Sequence, residues 1–66
     1  MSVVKVIEII AESPKSWEDA TKIGVSKASK TVKNIKSVWV KDMSASCDKD
    51  SVKAFRVTLK LSFLID

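Results

Sequence analysis

The hydrophobic pattern changes period twice along the chain, and those changes, with a polar turn near residue 49, divide it into four predicted elements. Val3-Val4-Lys5-Val6-Ile7-Glu8-Ile9-Ile10 is rich in β-branched residues and reads as a first strand. Glu12-Ser13-Pro14-Lys15 reads as a turn, since proline cannot donate to a continued ladder. A helix start follows at Ser16-Trp17-Glu18-Asp19. The Ser16 hydroxyl is placed to accept from the Asp19 amide, and Glu18 and Asp19 suit the positive end of the helix dipole. Ala20, Ile23, Gly24, Ala28, Thr31, Val32 and Ile35 recur at spacings of three and four. That stripe predicts a helix to about Lys33 or Asn34, with a small-sided face able to lie close on a sheet.

From Ser37 to about Ser46 the period falls to two. Val38 and Val40 then face one side; Ser37, Trp39, Lys41 and Met43 face the other. Cys47-Asp48-Lys49-Asp50-Ser51 reads as a hairpin connection. The last segment has the clearest pattern. Phe55, Val57, Leu59, Leu61, Phe63 and Ile65 make one apolar face; Ala54, Arg56, Thr58, Lys60, Ser62 and Leu64 make the other. At ~3.3 Å per residue this strand spans roughly 40 Å, against a usual ~17–20 Å.

The expected fold is α+β in the order β-α-β-β: a three-stranded antiparallel sheet packed on one helix, in a single domain over residues 1–66. One helix covers one face of such a sheet. The other face, with Trp39, Met43 and Leu64 beside Arg56, Thr58 and Lys60, is left as a contact or binding surface. At 66 residues a monomer is marginal, and a lone cysteine excludes an internal disulfide. Self-association is the remaining means of support.

Composition narrows the function. There is no histidine, the commonest general base and metal ligand. No nucleophile–base pair or cofactor motif stands out, so no enzyme is expected. Cys47, without a histidine partner, reads as an incidental thiol. The single cysteine, and the absence of a secretory pattern or membrane span, point to a cytoplasmic protein. The formal charge is +4, but lysines occur along the whole chain with acidic residues among them. Without a phosphate loop, zinc spacing or RNA-binding aromatic motif, they read as solvated surface, with no nucleic-acid or membrane partner expected.

Four sets of residues then resemble the dodecin family: Val4-Lys5-Val6-Ile7-Glu8; Ser13-Pro14-Lys15-Ser16-Trp17-Glu18-Asp19-Ala20; Thr31-Val32-Lys33-Asn34-Ile35; and Phe55-Arg56-Val57 through Lys60-Leu61-Ser62-Phe63. The resemblance covers nearly the whole chain. It implies a β-α-β-β subunit that closes with copies of itself into a hollow homododecamer. It also implies non-catalytic storage or quenching of a small-molecule ligand, a flavin such as FMN or riboflavin, stacked on a tryptophan and hydrogen-bonded by a glutamine. Here those two positions hold Ser37 and Arg56, and Trp39 lies two residues further on, about 7 Å along the same face. A second branch of the family lacks that tryptophan and is associated with calcium; the Ser-Pro-Lys-Ser-Trp-Glu stretch is closer to it.

Ser37, Trp39, Arg56 and Thr58 are therefore the candidate ligand-binding residues, and Asp42 the candidate metal ligand. Each has a plainer reading. Trp39 also fits an aromatic that fills space between subunits, the plainer of its two readings. Arg56 fits an anion, or a salt bridge to Asp42 or to a carboxylate of another subunit. Trp17 reads as packing against the sheet end. Asp48 and Asp50 read as turn residues, because neither the glycine nor the distal glutamate of an EF-hand accompanies them.

Overall fold

Side-chain alternation on the last strand organises the molecule, because that strand lies in the middle of the sheet. A computed structural model of the chain describes residues 3–65. It contains β1 (Val3–Ser13), α1 (Trp17–Ala28), β2 (Ile35–Asp48) and β3 (Ser51–Ile65), with strand order β1-β3-β2. Both outer strands run antiparallel to β3. The molecule is elongated, 52 × 19 × 14 Å, because the sheet extends past the helix that covers it.

Val57, Leu59 and Leu61 of β3 are fully buried beneath Ala20 of α1. Ile7, Ile9 and Ala11 from β1, and Ile35 and Val40 from β2, pack around them. The helix lies close because its contact face is small. A Cβ added at Gly24 would stand 2.9 Å from Leu59 Cδ1 and 3.1 Å from Ala11 Cβ. The expected cap is present: Ser16 Oγ accepts from the Asp19 amide at 2.9 Å. Asp19 also accepts from the buried Ser13 hydroxyl at 2.5 Å, which joins the end of β1 to the helix start.

Four expectations change. First, β1 continues through Glu12 and Ser13, which pair with Arg56 and Phe55; the turn begins only at Pro14. The Ser13 bond and a Glu12–Arg56 ion pair hold those last residues in the ladder.

Second, α1 ends at Ala28, not at Lys33 or Asn34. The Ser29 hydroxyl donates back to the Ser26 carbonyl, and amides 29–32 close a tight final turn on Val25, Lys27 and Ala28. Hydroxyl and β-branched residues there have weak helix preference. Asn34 then takes φ 63°, a left-handed conformation that asparagine tolerates, and its carbonyl accepts from the Leu64 amide. Thr31, expected to face inward, is exposed; Val32 is partly buried, and Ile35 packs against the core as the first residue of β2.

Third, β2 is longer than expected, and its register with β3 shifts at three places, between Ile35 and Ser37, Val40 and Asp42, and Ser46 and Cys47. The shift at Lys41 matters most. Val40 opposes Leu59 and Asp42 opposes Thr58, so Lys41 is an extra residue and the facing parity reverses beyond it. Met43 opposes Val57 on the helix side and does not share the face of Trp39. Asp42 joins that face instead.

Fourth, the hairpin is tighter than the five-residue connection expected. Only Lys49 and Asp50 separate the strands, with φ 51° and 66°, the two positive values of a type I′ turn.

Candidate functional site

Among the described residues no element covers the sheet face opposite α1. Its residues fall in rows across β1, β3 and β2: Val6, Ser62 and Ser37; Glu8, Lys60 and Trp39; Ile10, Thr58 and Asp42; Glu12, Arg56 and Ser44. Successive rows lie about 7 Å apart. Val6, Ile10 and Trp39 are each more than half exposed here, which is unusual for large apolar side chains placed so close together.

The Trp39 row is the centre of the face. Trp39 is 62% exposed, and the Lys60 ammonium lies 5.1 Å from its ring centroid, over the indole. Such a contact contributes about 0.5–1 kcal/mol at an exposed site. In the next row the Ser37 and Ser62 hydroxyls are hydrogen-bonded to each other. Together with Val6 these side chains line a shallow depression of about 410 Å³. It offers a flat apolar surface, hydroxyls able to donate or accept, and a cation that can swing off the ring.

Of the sequence candidates, the structure brings Ser37 and Trp39 together in this depression. Thr58 and Asp42 oppose each other one row away. Arg56 is two rows away and engaged. Its Nη2 and Nε donate to Glu12 Oε2 at 2.8 and 3.2 Å. The carboxylate that meets Arg56 is thus Glu12 on β1, in place of the expected Asp42, because the ladder puts positions 12 and 56 opposite each other. Both side chains are about half exposed, so the pair orients the guanidinium more than it stabilises the fold.

Lys60, Ser62 and Val6 were missing from the sequence candidates. Alternation already put Lys60 and Ser62 on the face of Thr58, but only the strand register sets them beside Trp39 and Ser37. Lys41, the bulged residue, reaches across β3 to Glu8 at 3.5 Å. Among the described residues no group of three or more His, Cys, Asp or Glu side chains converges. Asp42 in one chain therefore falls well short of the six to eight oxygens calcium takes.

Trp17, the other tryptophan, performs the packing expected of it. Its ring meets Phe55 edge-on at 4.8 Å, and its Nε1 donates to the Ser44 carbonyl at 2.8 Å. Cys47 is exposed in the last turn of strand before the hairpin tip. No helix among the described residues is long and apolar enough to cross a membrane.

A split β-α-β-β subunit, closed on one side by its own helix and bare on the other, defines a class of small proteins that must present half of their sheet to something else. The chain belongs to the dodecin family, whose model it matches over residues 3–66. It is 38% identical to calcium dodecin from Mycobacterium tuberculosis (strain ATCC 25618 / H37Rv) over 63 residues, 96% of this chain and 89% of that protein. The crystal structure of that calcium-chelating protein, described as having a novel calcium-binding site, superposes with TM-score 0.86 at 35% identity, covering 98% of this chain and 93% of that one. Dodecin from Streptomyces davaonensis is closer in backbone, TM-score 0.95, but more distant in sequence at 25% identity, with 98% and 96% covered.

Proposed function

We propose that this chain is a non-catalytic small-molecule-binding and storage subunit, working as a closed homo-oligomer, dodecameric as in the family resemblance. A flavin, FMN or riboflavin, is the leading ligand class. One observation carries the reading: an indole 62% exposed at the centre of a sheet face that the subunit leaves bare, with Lys60, Ser37 and Ser62 around it. Two copies meeting across a two-fold axis would bring this patch against itself. They would bury Val6, Ile10 and Trp39 and turn an open depression into an enclosed slot. A planar ring fits such a slot by stacking on Trp39, with Ser37 and Ser62 as hydrogen-bonding groups at its edge. Thr58 and Asp42 would border it. Arg56, already neutralised by Glu12, would serve at the periphery. Lys60 is the cation nearest the ring, and it favours a ligand that carries negative charge. FMN, with its phosphate, suits this better than riboflavin.

The test is a fluorescence titration of riboflavin and FMN with the purified assembly. Quenching that is lost in Trp39→Ala supports the reading. Full fluorescence of both flavins at saturating protein overturns the flavin assignment.

A second reading has its own support: the 38% identity to calcium dodecin. Calcium would need carboxylates from more than one subunit, with Asp42 as this chain's contribution on the face between copies. Calorimetric titration with calcium separates the two readings. Uptake abolished by Asp42→Asn, with no flavin quenching, would replace the first by the second.

A further inference from the structure

The acidic residues among the lysines are not evenly distributed. Residues 20–41 contain six lysines and no aspartate or glutamate. The structure separates them by surroundings. Lys22 pairs with Glu18 at 3.7 Å and Lys41 with Glu8 at 3.5 Å. Lys27, Lys30, Lys33 and Lys36 are exposed and have no ion-pair partner among the described residues. Lys22 and Lys27 on α1, and Lys30 just beyond its end, surround a depression of about 330 Å³ that Ile23 and Ser26 also line. The one carboxylate bordering the adjoining cleft with Lys27 is Glu12, which Arg56 already neutralises.

We propose that this helix-side lysine surface binds the phosphate backbone of duplex nucleic acid without reading sequence. Three features select that partner. The charge is of one sign and uncompensated, the condition for counterion release from a phosphate polymer. No residue from 20 to 36 is aromatic, so the surface has no platform for the unstacked bases of a single strand. Among the lysines themselves Ile23, Val25 and Val32 are partly buried, and Trp17, the exposed aromatic of α1, lies at the opposite end of the helix against Phe55, which leaves no large apolar side chain within the lysine patch to insert into a bilayer. Position in the assembly adds to this. If the bare sheet faces meet each other, the helices point outward, and each copy repeats the patch on the outer surface. Several weak phosphate clamps on one rigid body then act together.

The experiment uses the intact assembly and a fluorescently labelled random-sequence duplex, followed by anisotropy from about 50 mM salt upward. The expected result is binding that weakens steeply with salt, each neutralised phosphate contributing about −0.9 to the log–log slope. The triple variant Lys27→Gln/Lys30→Gln/Lys33→Gln should lose at least about tenfold in affinity and flatten that slope. Lys15→Gln/Lys49→Gln/Lys53→Gln removes the same charge elsewhere and should change affinity less than about threefold. Native mass spectrometry confirms that both variants keep the wild-type assembly. If the glutamine triple does not assemble, the arginine triple at the same positions replaces it and should retain binding. No binding at low salt overturns the proposal. So do equal losses in the two triples, loss of binding in the arginine triple, or capture by phosphatidylserine vesicles in preference to the duplex.

Discussion

Gly24 shows how much of this fold depends on a single missing methyl group. It is the chain's one glycine, and it lies where α1 crosses β1 and β3. In a helix, alanine normally gains about 1 kcal/mol over glycine. Here the added Cβ would press on Ala11 Cβ, which is held by backbone, and on Leu59 Cδ1. Overpacking costs about 1–3 kcal/mol and outweighs the gain. Gly24→Ala should therefore lower stability by about 1 kcal/mol in urea unfolding, the reverse of the usual helix result. An unchanged or raised midpoint would show that the sheet yields to the helix. At the candidate site the residue to test is Lys60. Lys60→Gln should weaken FMN by several-fold and riboflavin less, since it removes a cation placed to meet the phosphate, an exposed charge pair of up to about 1 kcal/mol, and leaves the ring face in place. Equal weakening of both flavins would assign Lys60 to packing.

At the scale of elements, the β2–β3 hairpin combines strong and weak local instructions. Its strands pair over most of their length, yet the turn places Lys49 and Asp50 at positive φ, a conformation natural to glycine and asparagine. Replacing the pair by Asn-Gly should raise stability by up to about 1 kcal/mol, read as a shift of the urea midpoint with unchanged slope. The bulge at Lys41 is a different device. It lets β2 give Trp39 to the open face and Met43 to the helix side within five residues. Deleting Lys41 should close the ladder, with Asp42 still opposite Thr58 on the open face and Met43 still opposite Val57 on the helix side. The deletion removes only the Lys41–Glu8 ion pair and the local twist, so native mass spectrometry should show the wild-type assembly; a lower mass would show that closure needs the twist the bulge supplies.

For the whole molecule, the mismatch between a long sheet and a short helix is decisive. α1 has 12 residues against 15 in β3, and a helix rises less than half as far per residue as a strand. It therefore covers the middle of one face and leaves the strand ends and the opposite face open. Val3, Val4, Val6, Ile10, Trp39, Met43 and Val52 are each more than half exposed as a result. A subunit in this condition should gain much of its stability from copies of itself, so its melting temperature should rise with protein concentration. Native mass spectrometry should show a closed oligomer at twelve subunit masses. A stable monomer at micromolar concentration would remove the basis for a slot between copies.

The order of elements, the Ser16 cap, the buried face of β3 and the surplus of sheet over helix were all legible in the sequence. Each follows from local periodicity or a local hydrogen bond. The end of α1 was not, because the stripe of Val32 and Ile35 continues at helical spacing while the backbone has already left the helix. The site was legible only in part. Trp39 and Ser37 could be placed on one face by counting in twos, but the same counting misplaced Met43, since a bulge adds a residue that period two does not reveal. Which side chains meet Trp39 is a question of register between strands far apart in sequence. Tertiary pairing alone decided that Lys60 lies over the indole, that Ser62 faces Ser37, and that Glu12 meets Arg56. The physical reason is that alternation along a strand depends on its own residues. Position across a sheet is set jointly by the turn, the bulges and the packing of a core that no single segment contains.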